Sequence, residues 1–420
     1  MKSSPLLTGL DIGSSAIRIA VGQPHLRERG APPDLVILTA VEVPSQGISR
    51  GSVTSIDDAV ASISKCLETA ERMMGQPITD VCAGISGTHI LAQESKGVVG
   101  VARSDGEIRE EDVDRAIEAA RTVALPLNHE LLHVLPRRFT VDGQRGVKDP
   151  IGMTGIRLEV DTLIVEGQTS QVRNVSRAVY RTGLQIQDFV FSLLATGEAV
   201  LSAKQKELGS AVVTIGAQTT GVIVYEEGDV VHLAVLPIGA DHITSDIAIA
   251  LRTSLDIAEK IKRRYGTARK GDFERGRKIR VDEFGALGDE QCTHQFLGEV
   301  IRARAEEIFE KVDREFAKID RSGLLPAGVF LAGGGAKLPG MIEAAKDCLR
   351  LSVSEGNALG ISSAVEQVND IAFAPALSLV KWLTDLNVAS GRGVRHPMMN
   401  LQGVGKVADW VRSWVRGLIP

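Results

Sequence analysis

The chain has 420 residues, 44% of them hydrophobic and 24% charged, so several domains are expected and nothing in the composition departs from an ordinary globular protein. A net charge of −5 does not indicate a nucleic-acid-binding protein, and no apolar run is long enough to span a bilayer. The four cysteines follow no metal-ligand or redox spacing, which favours reduced core thiols in a cytoplasmic protein. Asp11 interrupts the N-terminal apolar run and no cleavage-like site follows, which indicates a strand rather than a signal peptide.

Residues 8–22 predict a β-hairpin, because an apolar run enters a Gly-Ser-Ser turn and an alternating run leaves it. Aspartate is a ligand suited to Mg²⁺, glycine allows close approach of the backbone, and serines offer hydroxyl and backbone N–H groups to phosphate oxygens. The candidate binding residues of this turn are Asp11, Gly13, Ser14, Ser15 and Arg18, with Asp11 as the candidate metal ligand.

The chain then alternates between strands and a helix. Strands are predicted over 35–43 and 81–85, and a helix over 56–74, with Ser55 as its N-cap and Gly75 as its stop. From about 84 to 166 the pattern changes to a helix followed by two strand-like segments, 130–141 and 156–165, which predicts a small inserted α+β subdomain. The helix is marked by Val113, Ile117, Ala120 and Ala124.

The second half contains two further glycine turns. Residues 212–225 repeat the strand, turn and strand of the first hairpin, and an apolar strand at 329–332 runs into three glycines. Only glycine lets the backbone pass flat against a planar ligand such as adenine. The candidate binding residues are Gly216, Ala217, Gln218 and Thr219 in the second turn, and Gly333, Gly334, Gly335 and Ala336 in the third.

Ten basic and two acidic residues lie between Lys260 and Arg280. In an acidic protein this asymmetry indicates a face for an acidic partner, although a solvated helix and loop explains it equally well. A helix over 296–319 follows, with Arg302 and Arg304 near its start. The eight histidines form no ligand spacing and are interpreted as structural, and no nucleophilic triad is evident.

The C-terminal segment predicts a helix over 375–386, a linker over about 388–402 and an amphipathic helix over 404–419. One stripe of that last helix is apolar and the opposite face is mostly cationic, which is typical of a helix lying in a membrane surface. Docking of the stripe on the protein body or on another chain is the alternative. The residues expected to enter the membrane are Val407, Trp410, Val411, Trp414, Val415 and Leu418.

The three loops, in this order, resemble those of the actin, Hsp70 and sugar-kinase superfamily, with two phosphate loops and one adenosine loop. The resemblance implies a two-lobed α/β, ribonuclease H-like fold that binds ATP and Mg²⁺ between its lobes. Arg18 lies where actin has a phosphate-contacting lysine.

Three segments, 150–160, 237–248 and 258–262, resemble FtsA, the actin-like bacterial cell-division family, and the resemblance covers essentially the whole chain. Relatives use the positions of Glu259 and Lys262 near the ribose and adenine. The implied division is subdomain 1A (1–83, 166–195 and 376–386), an inserted SHS2-type subdomain 1C (84–165), 2A (196–245 and 326–375), 2B (246–325), a linker (387–403) and a membrane-targeting helix (404–420).

The same resemblance implies the partners. Subdomain 2B would bind the C-terminal peptide of FtsZ, with Arg302 and Arg304 as the contacts chosen by position. Subdomain 1C would bind other division proteins, the chain would assemble with itself into filaments, and the last helix would attach it to the cytoplasmic face of the membrane at the septum.

One departure from the relatives concerns catalysis. Their second phosphate loop carries an aspartate where this chain has Thr214, so ATP is expected to bind but to be hydrolysed slowly, and no catalytic residue is assigned. A pilus-assembly scaffold resembling PilM, which shares the fold and the insertion, is one alternative. A sugar-kinase-type phosphotransferase is another, and the missing acid at Thr214 argues against it.

Overall fold

The computed structural model describes residues 5–25, 34–122, 126–271, 276–285, 291–363 and 365–389. The strands are β1 (Leu7–Ile12), β2 (Ala16–His25), β3 (Asp34–Pro44), β4 (Ile48–Ser49), β5 (Ser52–Val53), β6 (Asp80–Ile85), β7 (Ile90–Gly100), β8 (His129–Val141), β9 (Gln144–Val147), β10 (Arg157–Gln168), β11 (Gln185–Phe191), β12 (Ser210–Ile215), β13 (Thr220–Glu226), β14 (Asp229–Leu236), β15 (Lys278–Arg280), β16 (Gln291–Thr293), β17 (Val329–Ala332), β18 (Val353–Glu355) and β19 (Ile361–Ser362). The helices are α1 (Ile56–Met74), α2 (Glu110–Arg121), α3 (Thr169–Arg181), α4 (Ser192–Val200), α5 (Ala203–Leu208), α6 (Ala240–Ala250), α7 (Leu255–Tyr265), α8 (His294–Ala317), α9 (Met341–Leu349) and α10 (Ala374–Ala389).

The first lobe is built on a mixed sheet with the strand order β11-β6-β1-β2-β3-β19. β1 and β2 form the predicted hairpin, and β1 also pairs in parallel with β6. Leu10 and Ile12 point into a core shared with α1, whereas Gly9 faces α10. A Cβ on Gly9 would lie 2.3 Å from the carbonyl oxygen of Ala376, so glycine is needed for α10 to pack this closely.

Helix α1 shows how local sequence fixes the ends of an element. The Ser55 hydroxyl accepts a hydrogen bond from the backbone N–H of Asp58, and Gly75 ends the helix in the left-handed conformation. Both ends agree with the prediction from sequence, because each depends on residues within one helical turn.

The inserted segment forms a separate four-stranded sheet, β7-β10-β8-β9, with α2 on one face. The other face packs against the body: Leu135 and Leu163 share a core with Val230 and Leu233 of β14. Arg137 of β8 donates hydrogen bonds to the carbonyl oxygens of Val230 and Val231, at 2.7 Å each, on the outer edge of β14. The predicted helix residue Ala124 lies outside the described residues.

The second lobe is built on the sheet β14-β13-β12-β17-β18, with α6, α8 and α9 covering one face. β12 and β13 repeat the hairpin of the first lobe, and β12 pairs in parallel with β17, which leads into the third glycine loop. Asp11 and Thr214 occupy corresponding places, since each stands two residues before the turn glycine and faces away from the apolar neighbours that flank it.

Helix α10 extends to Ala389, three residues beyond the predicted end at 386, so the linker predicted from 387 cannot begin before residue 390. No glycine or proline occurs between Leu386 and Ala389, and Gly391 is the first residue that disfavours a helix. The rest of the predicted linker and the predicted membrane helix lie outside the described residues. None of the helices that the structure describes combines the length and apolar character needed to cross a membrane.

Candidate functional site

The turn of the first hairpin leaves backbone donors available. The N–H of Gly13 bonds the carbonyl oxygen of Ala16 at 3.1 Å and closes the turn. Within the described part of the chain, the N–H groups of Ser14 and Ser15 donate to no acceptor. Two adjacent free amides beside two hydroxyl groups form a site suited to an anion.

The second turn repeats this arrangement. The N–H of Gly216 bonds the carbonyl oxygen of Thr219 at 2.8 Å, and the N–H groups of Ala217 and Gln218 have no acceptor among the described residues. The carbonyl oxygens of Gly216 and Ala217 accept from the N–H groups of Ala240 and Asp241 at the start of α6. The helix therefore fixes the orientation of the turn.

The two turns come together through a short hairpin of the first lobe. The N–H of Gly51 donates to the Ser14 hydroxyl at 3.2 Å. The side-chain oxygen of Gln218 accepts from the N–H of Arg50 at 2.8 Å and from the Ser49 hydroxyl at 3.1 Å. Adjacent residues of one hairpin thus contact both predicted phosphate loops.

The three glycines of the third loop have different roles. Gly333 has a φ of +87°, and a Cβ there would lie 2.5 Å from the carbonyl oxygen of Ile215. A Cβ on Gly335 would lie 2.6 Å from Cγ2 of Ile215, so both glycines are needed for packing against β12. A Cβ on Gly334 would meet nothing closer than 3.5 Å, where it reaches a guanidinium nitrogen of Arg18. Gly334 alone of the three presents open backbone, and Ala336 is buried.

Arg18 links the first hairpin to the third loop. It stands opposite Asp11 in the β1–β2 register, and its guanidinium lies 3.9 Å from the Asp11 carboxylate. Nε and Nη2 contact the Glu42 carboxylate at 2.7 and 2.6 Å, and the guanidinium carbon lies 5.7 Å from the centre of the Phe373 ring. Burial raises the pKa of Asp11, and the nearby charge of Arg18 opposes that rise.

The described residues contain no group of three or more His, Cys, Asp or Glu side chains placed to hold a metal ion. Asp11 would therefore be a single carboxylate ligand, and a bound Mg²⁺ would take its other oxygens from water and from a ligand, as this ion commonly does. Thr214 supplies a hydroxyl rather than a second carboxylate; it pairs with Gly221, where a Cβ would lie 2.6 Å from the Thr214 hydroxyl.

Glu259 and Lys262 form an internal network between α6 and α7. Lys262 is buried, and its ammonium donates to Thr244 Oγ1 at 2.7 Å and the Ala240 carbonyl at 3.2 Å while lying 2.6 Å from Glu259. These contacts use its three N–H groups, so a nucleotide contact by Lys262, as expected from the resemblance, would have to replace one of them. The hydrogen bonds that Lys262 and Thr244 donate lower the pKa of Glu259 to about 2 despite its burial.

Arg302 does not lie on the surface, contrary to its selection as a partner contact. It is 7% exposed and donates to Glu306 at 2.6 Å, to the Ala268 carbonyl at 2.9 Å and to Asp347 at 2.9 Å. Because these bonds join α8 to two other segments, Arg302 is a packing residue and is withdrawn as a partner contact.

Arg304 lines a surface groove between α8 and the end of β14. Its guanidinium contacts both oxygens of Asp246, at 2.6 and 2.8 Å, and also Glu307. The groove is lined by apolar residues and by charges of both signs: Leu236, Pro237, Ile238, Glu307, Lys311, Arg314, Glu315 and Lys318. Lys311 pairs with Glu307, and Lys318 pairs with Glu315. Arg314 is exposed and forms no ion pair with any residue of the described ranges. The six candidate membrane residues, from Val407 to Leu418, lie outside the described residues.

The sequence alone does not single out the 48–53 hairpin as part of the site, although its residues contact both predicted phosphate loops. The sequence carries a signal for this turn in Gly47 and Gly51, both of which have positive φ. A Cβ on Gly51 would lie 1.9 Å from the carbonyl oxygen of Ser86, so the turn is packed against the first lobe. Its hydrogen bonds to Gln218 join residues that are 168 and 169 positions apart in the sequence, so no local sequence pattern predicts them.

Comparison with known proteins places the chain in a family. Two family models match it: "SHS2 domain inserted in FTSA" over residues 87–166 and "Cell division protein FtsA" over residues 211–378. The cell division protein FtsA of Pseudomonas aeruginosa is 34% identical over 378 residues, covering 90% of this chain and 88% of that protein. The chain belongs to the FtsA family. FtsA of Bacillus subtilis is 36% identical over 363 residues, and the alignment covers 86% of this chain and 81% of the Bacillus protein.

Solved structures confirm the two-lobed actin-like fold of this FtsA-family chain. A PilM–PilN type IV pilus biogenesis complex aligns with a TM-score of 0.65 at 19% identity, covering 90% of this chain and 98% of that one. MreB5 of Spiroplasma citri bound to ADP aligns with a TM-score of 0.51 at 12% identity, covering 90% of this chain and 97% of that one. At such identities these likenesses concern the fold, whereas the FtsA relatives establish the family of cell-division proteins.

Proposed function

We propose that the cleft between the two lobes binds ATP. The observation that carries this proposal is the convergence of the two turns, where the N–H groups of Ser14, Ser15, Ala217 and Gln218 have no acceptor among the residues that the structure describes. Such amides suit the negatively charged phosphates, and the open backbone at Gly334 suits the flat face of the base. MreB5, which shares the fold, has been solved with ADP and with AMPPNP.

Mg²⁺ fits the residues present, with Asp11 as its protein ligand. The ion would neutralise charge on the phosphates. Burial raises the pKa of Asp11, and the positive charge of Arg18 beside it opposes that rise and thereby favours the ionised carboxylate that a cation needs. Thr214 offers no carboxylate to orient or deprotonate water, so we infer slow hydrolysis and a structural role for the nucleotide.

We further propose that the groove beside Arg304 binds the acidic C-terminal peptide of FtsZ. Its apolar lining residues would accept apolar side chains of the peptide, and its cations would accept acidic ones, although Glu307 and Glu315 already pair with Lys311 and Lys318. The exposed cation Arg314 supports this choice, because its charge is not already used by a described carboxylate. The Arg304 guanidinium is bound by the Asp246 carboxylate, so Arg304 would contribute to peptide binding partly by shaping the groove.

Attachment to the membrane completes the proposal. The 404–419 segment has an apolar stripe with Trp410 and Trp414 and a face bearing Lys406, Arg412 and Arg416, a composition suited to anionic lipid surfaces. With the FtsZ groove on one lobe and this helix at the chain terminus, the protein would tether FtsZ filaments to the cytoplasmic membrane at the septum. Self-assembly into filaments and binding of division proteins through the inserted subdomain are part of the same proposal.

Calorimetric titration with ATP and Mg²⁺ tests the nucleotide site. We expect saturable binding that weakens when Mg²⁺ is chelated, and turnover below about 1 per second, the lower end of the usual enzyme range. Lys346→Glu, an exposed change on α9 outside the cleft, serves as the matched control and should bind normally. Absence of ATP binding by the folded wild-type protein would contradict the proposal, and rapid phosphate transfer to sugars would support the kinase alternative.

A further inference from the structure

Gln218 connects the two lobes across the candidate cleft. Its side-chain oxygen accepts two hydrogen bonds from the 48–53 hairpin of the first lobe, from Arg50 N–H at 2.8 Å and from the Ser49 hydroxyl at 3.1 Å. Gln218 itself belongs to the turn between β12 and β13 in the second lobe. These bonds need only the Gln218 side chain, so a change there can leave the backbone of the phosphate loop intact.

The donors in the first lobe are held in place by their own turn. Arg50 has a φ of +49° and Gly51 a φ of +79°, so both residues of the turn adopt left-handed conformations. The N–H of Gly51 is fixed by the Ser14 hydroxyl, and the turn packs against Ser86. Because the turn is constrained on both sides, the Arg50 N–H points at Gln218 without further ordering.

The acceptor is held equally firmly. The Gly216–Thr219 hydrogen bond closes the turn that carries Gln218, and the N–H groups at the start of α6 bind the carbonyl oxygens of Gly216 and Ala217. Movement of one lobe relative to the other must therefore break the Gln218 contacts, since neither anchoring turn can follow without losing its own hydrogen bonds.

We propose that Gln218 is an interlobe latch, which holds the cleft closed and limits the rate at which bound nucleotide leaves. The claim about nucleotide release rests on the proposed ATP site. The latch itself does not, because its hydrogen bonds involve protein atoms alone. Gln218→Ala removes the acceptor oxygen and keeps the backbone N–H that the phosphate site uses, so it separates the latch from the anion site.

The first experiment measures the latch without nucleotide. Hydrogen–deuterium exchange of the full chain should show faster exchange of the peptide covering residues 48–53 in Gln218→Ala than in the wild type, because the Arg50 N–H loses its acceptor. Gln144→Ala, at an exposed position of β9, is the matched control and should leave that peptide unchanged. Equal exchange in wild type and Gln218→Ala would overturn the latch.

The second experiment measures release of a fluorescent ATP analogue in the presence of Mg²⁺. Loss of both hydrogen bonds should accelerate release by up to about 25-fold, since one net hydrogen bond changes an equilibrium by about fivefold. Ser49→Ala alone should accelerate release by a smaller factor, and adding it to Gln218→Ala should change nothing further, because its acceptor is already gone. Independent, additive effects of the two substitutions would contradict a shared latch.

These two measurements distinguish failure of the latch from failure of the nucleotide site. A wild-type protein that binds no ATP, yet shows faster exchange at 48–53 in Gln218→Ala, would retain the latch and lose the proposed ATP function. A wild-type protein that binds ATP, with unchanged exchange and release in Gln218→Ala, would retain the ATP site and lose the latch.

Discussion

Substitution of Gly334 and Gly335 by valine offers a matched pair that separates ligand contact from packing. The two glycines are adjacent and the chemical change is the same. A Cβ on Gly334 would have 3.5 Å of clearance from Arg18, whereas a Cβ on Gly335 would lie 2.6 Å from Ile215 Cγ2 and 3.0 Å from the Gly216 carbonyl oxygen. Only the second substitution forces buried atoms to move.

The expected magnitudes follow from these distances. Gly335→Val overpacks the contact with β12 and should lower the free energy of unfolding by about 1–3 kcal/mol. Gly334→Val should leave that free energy nearly unchanged but cover the surface proposed for the base. One face of a purine buries about 80 Å² at about 25 cal/mol per Å², so ATP affinity should fall by about 2 kcal/mol, or about thirtyfold.

Calorimetry with ATP and Mg²⁺ and chemical denaturation without nucleotide provide the two readouts. Reduced ATP affinity with unchanged stability in Gly334→Val supports the third loop as the base-binding surface. Unchanged ATP affinity in that variant would refute the assignment. A loss of stability in Gly334→Val comparable to that in Gly335→Val would refute the inference that Gly334 presents open backbone.

Four further predictions concern other parts of the chain. Arg302→Ala should lower the free energy of unfolding by about 1–3 kcal/mol in denaturant titrations, because the carbonyl oxygen of buried Ala268 loses its donor while Glu306 and Asp347 stay partly exposed to water. The double charge reversal Lys311→Glu/Arg314→Glu should weaken FtsZ tail-peptide binding in a salt-dependent way and leave ATP binding intact; peptide binding indifferent to the reversal and to salt would contradict the groove. Burial lowers the pKa of His133 to about 4, below its usual 6.5, so stability present above pH 6.5 should be lost as pH falls toward 4. His133→Gln, whose Oε1 can replace Nε2 as the acceptor from the Phe191 N–H, should reduce that loss in denaturation measurements at pH 7 and pH 5; an equal loss in both proteins would show that other groups control it. Thr214→Asp should raise ATP turnover above the wild-type rate, measured as phosphate release; a rate unchanged in a variant that still binds ATP would show that Thr214 is not what limits hydrolysis.

The elements that sequence predicted best are those determined by nearby residues. The two hairpins follow from alternation and turn glycines, and α1 begins and ends at its predicted caps because Ser55 and Gly75 act within one turn. The resemblance of the three loops to the actin, Hsp70 and sugar-kinase superfamily implied the fold, and each loop does follow a strand of one of the two sheets.

The features that sequence could not predict depend on contacts between distant segments. Arg302 is buried because Ala268 and Asp347, 34 and 45 residues away, accept its hydrogen bonds. The Lys262 ammonium donates hydrogen bonds to residues of α6, and the Gln218 side chain accepts a hydrogen bond from a hairpin in the other lobe. Arg302 and Lys262 were expected to contact a partner and a nucleotide because of their positions in the family. Only the packed structure shows that their N–H groups already donate to other residues of the chain.

Recruitment of FtsZ to lipid tests the central claim most directly. Anionic vesicles are sedimented with FtsZ, ATP and either the wild-type chain or Trp410→Glu/Trp414→Glu. We expect FtsZ to sediment with the vesicles only when the wild-type chain is present, because the two glutamates of the double variant would keep the apolar stripe out of the membrane surface. FtsZ that sediments equally with the double variant, or that stays in solution with a vesicle-bound wild-type chain, would contradict the tether.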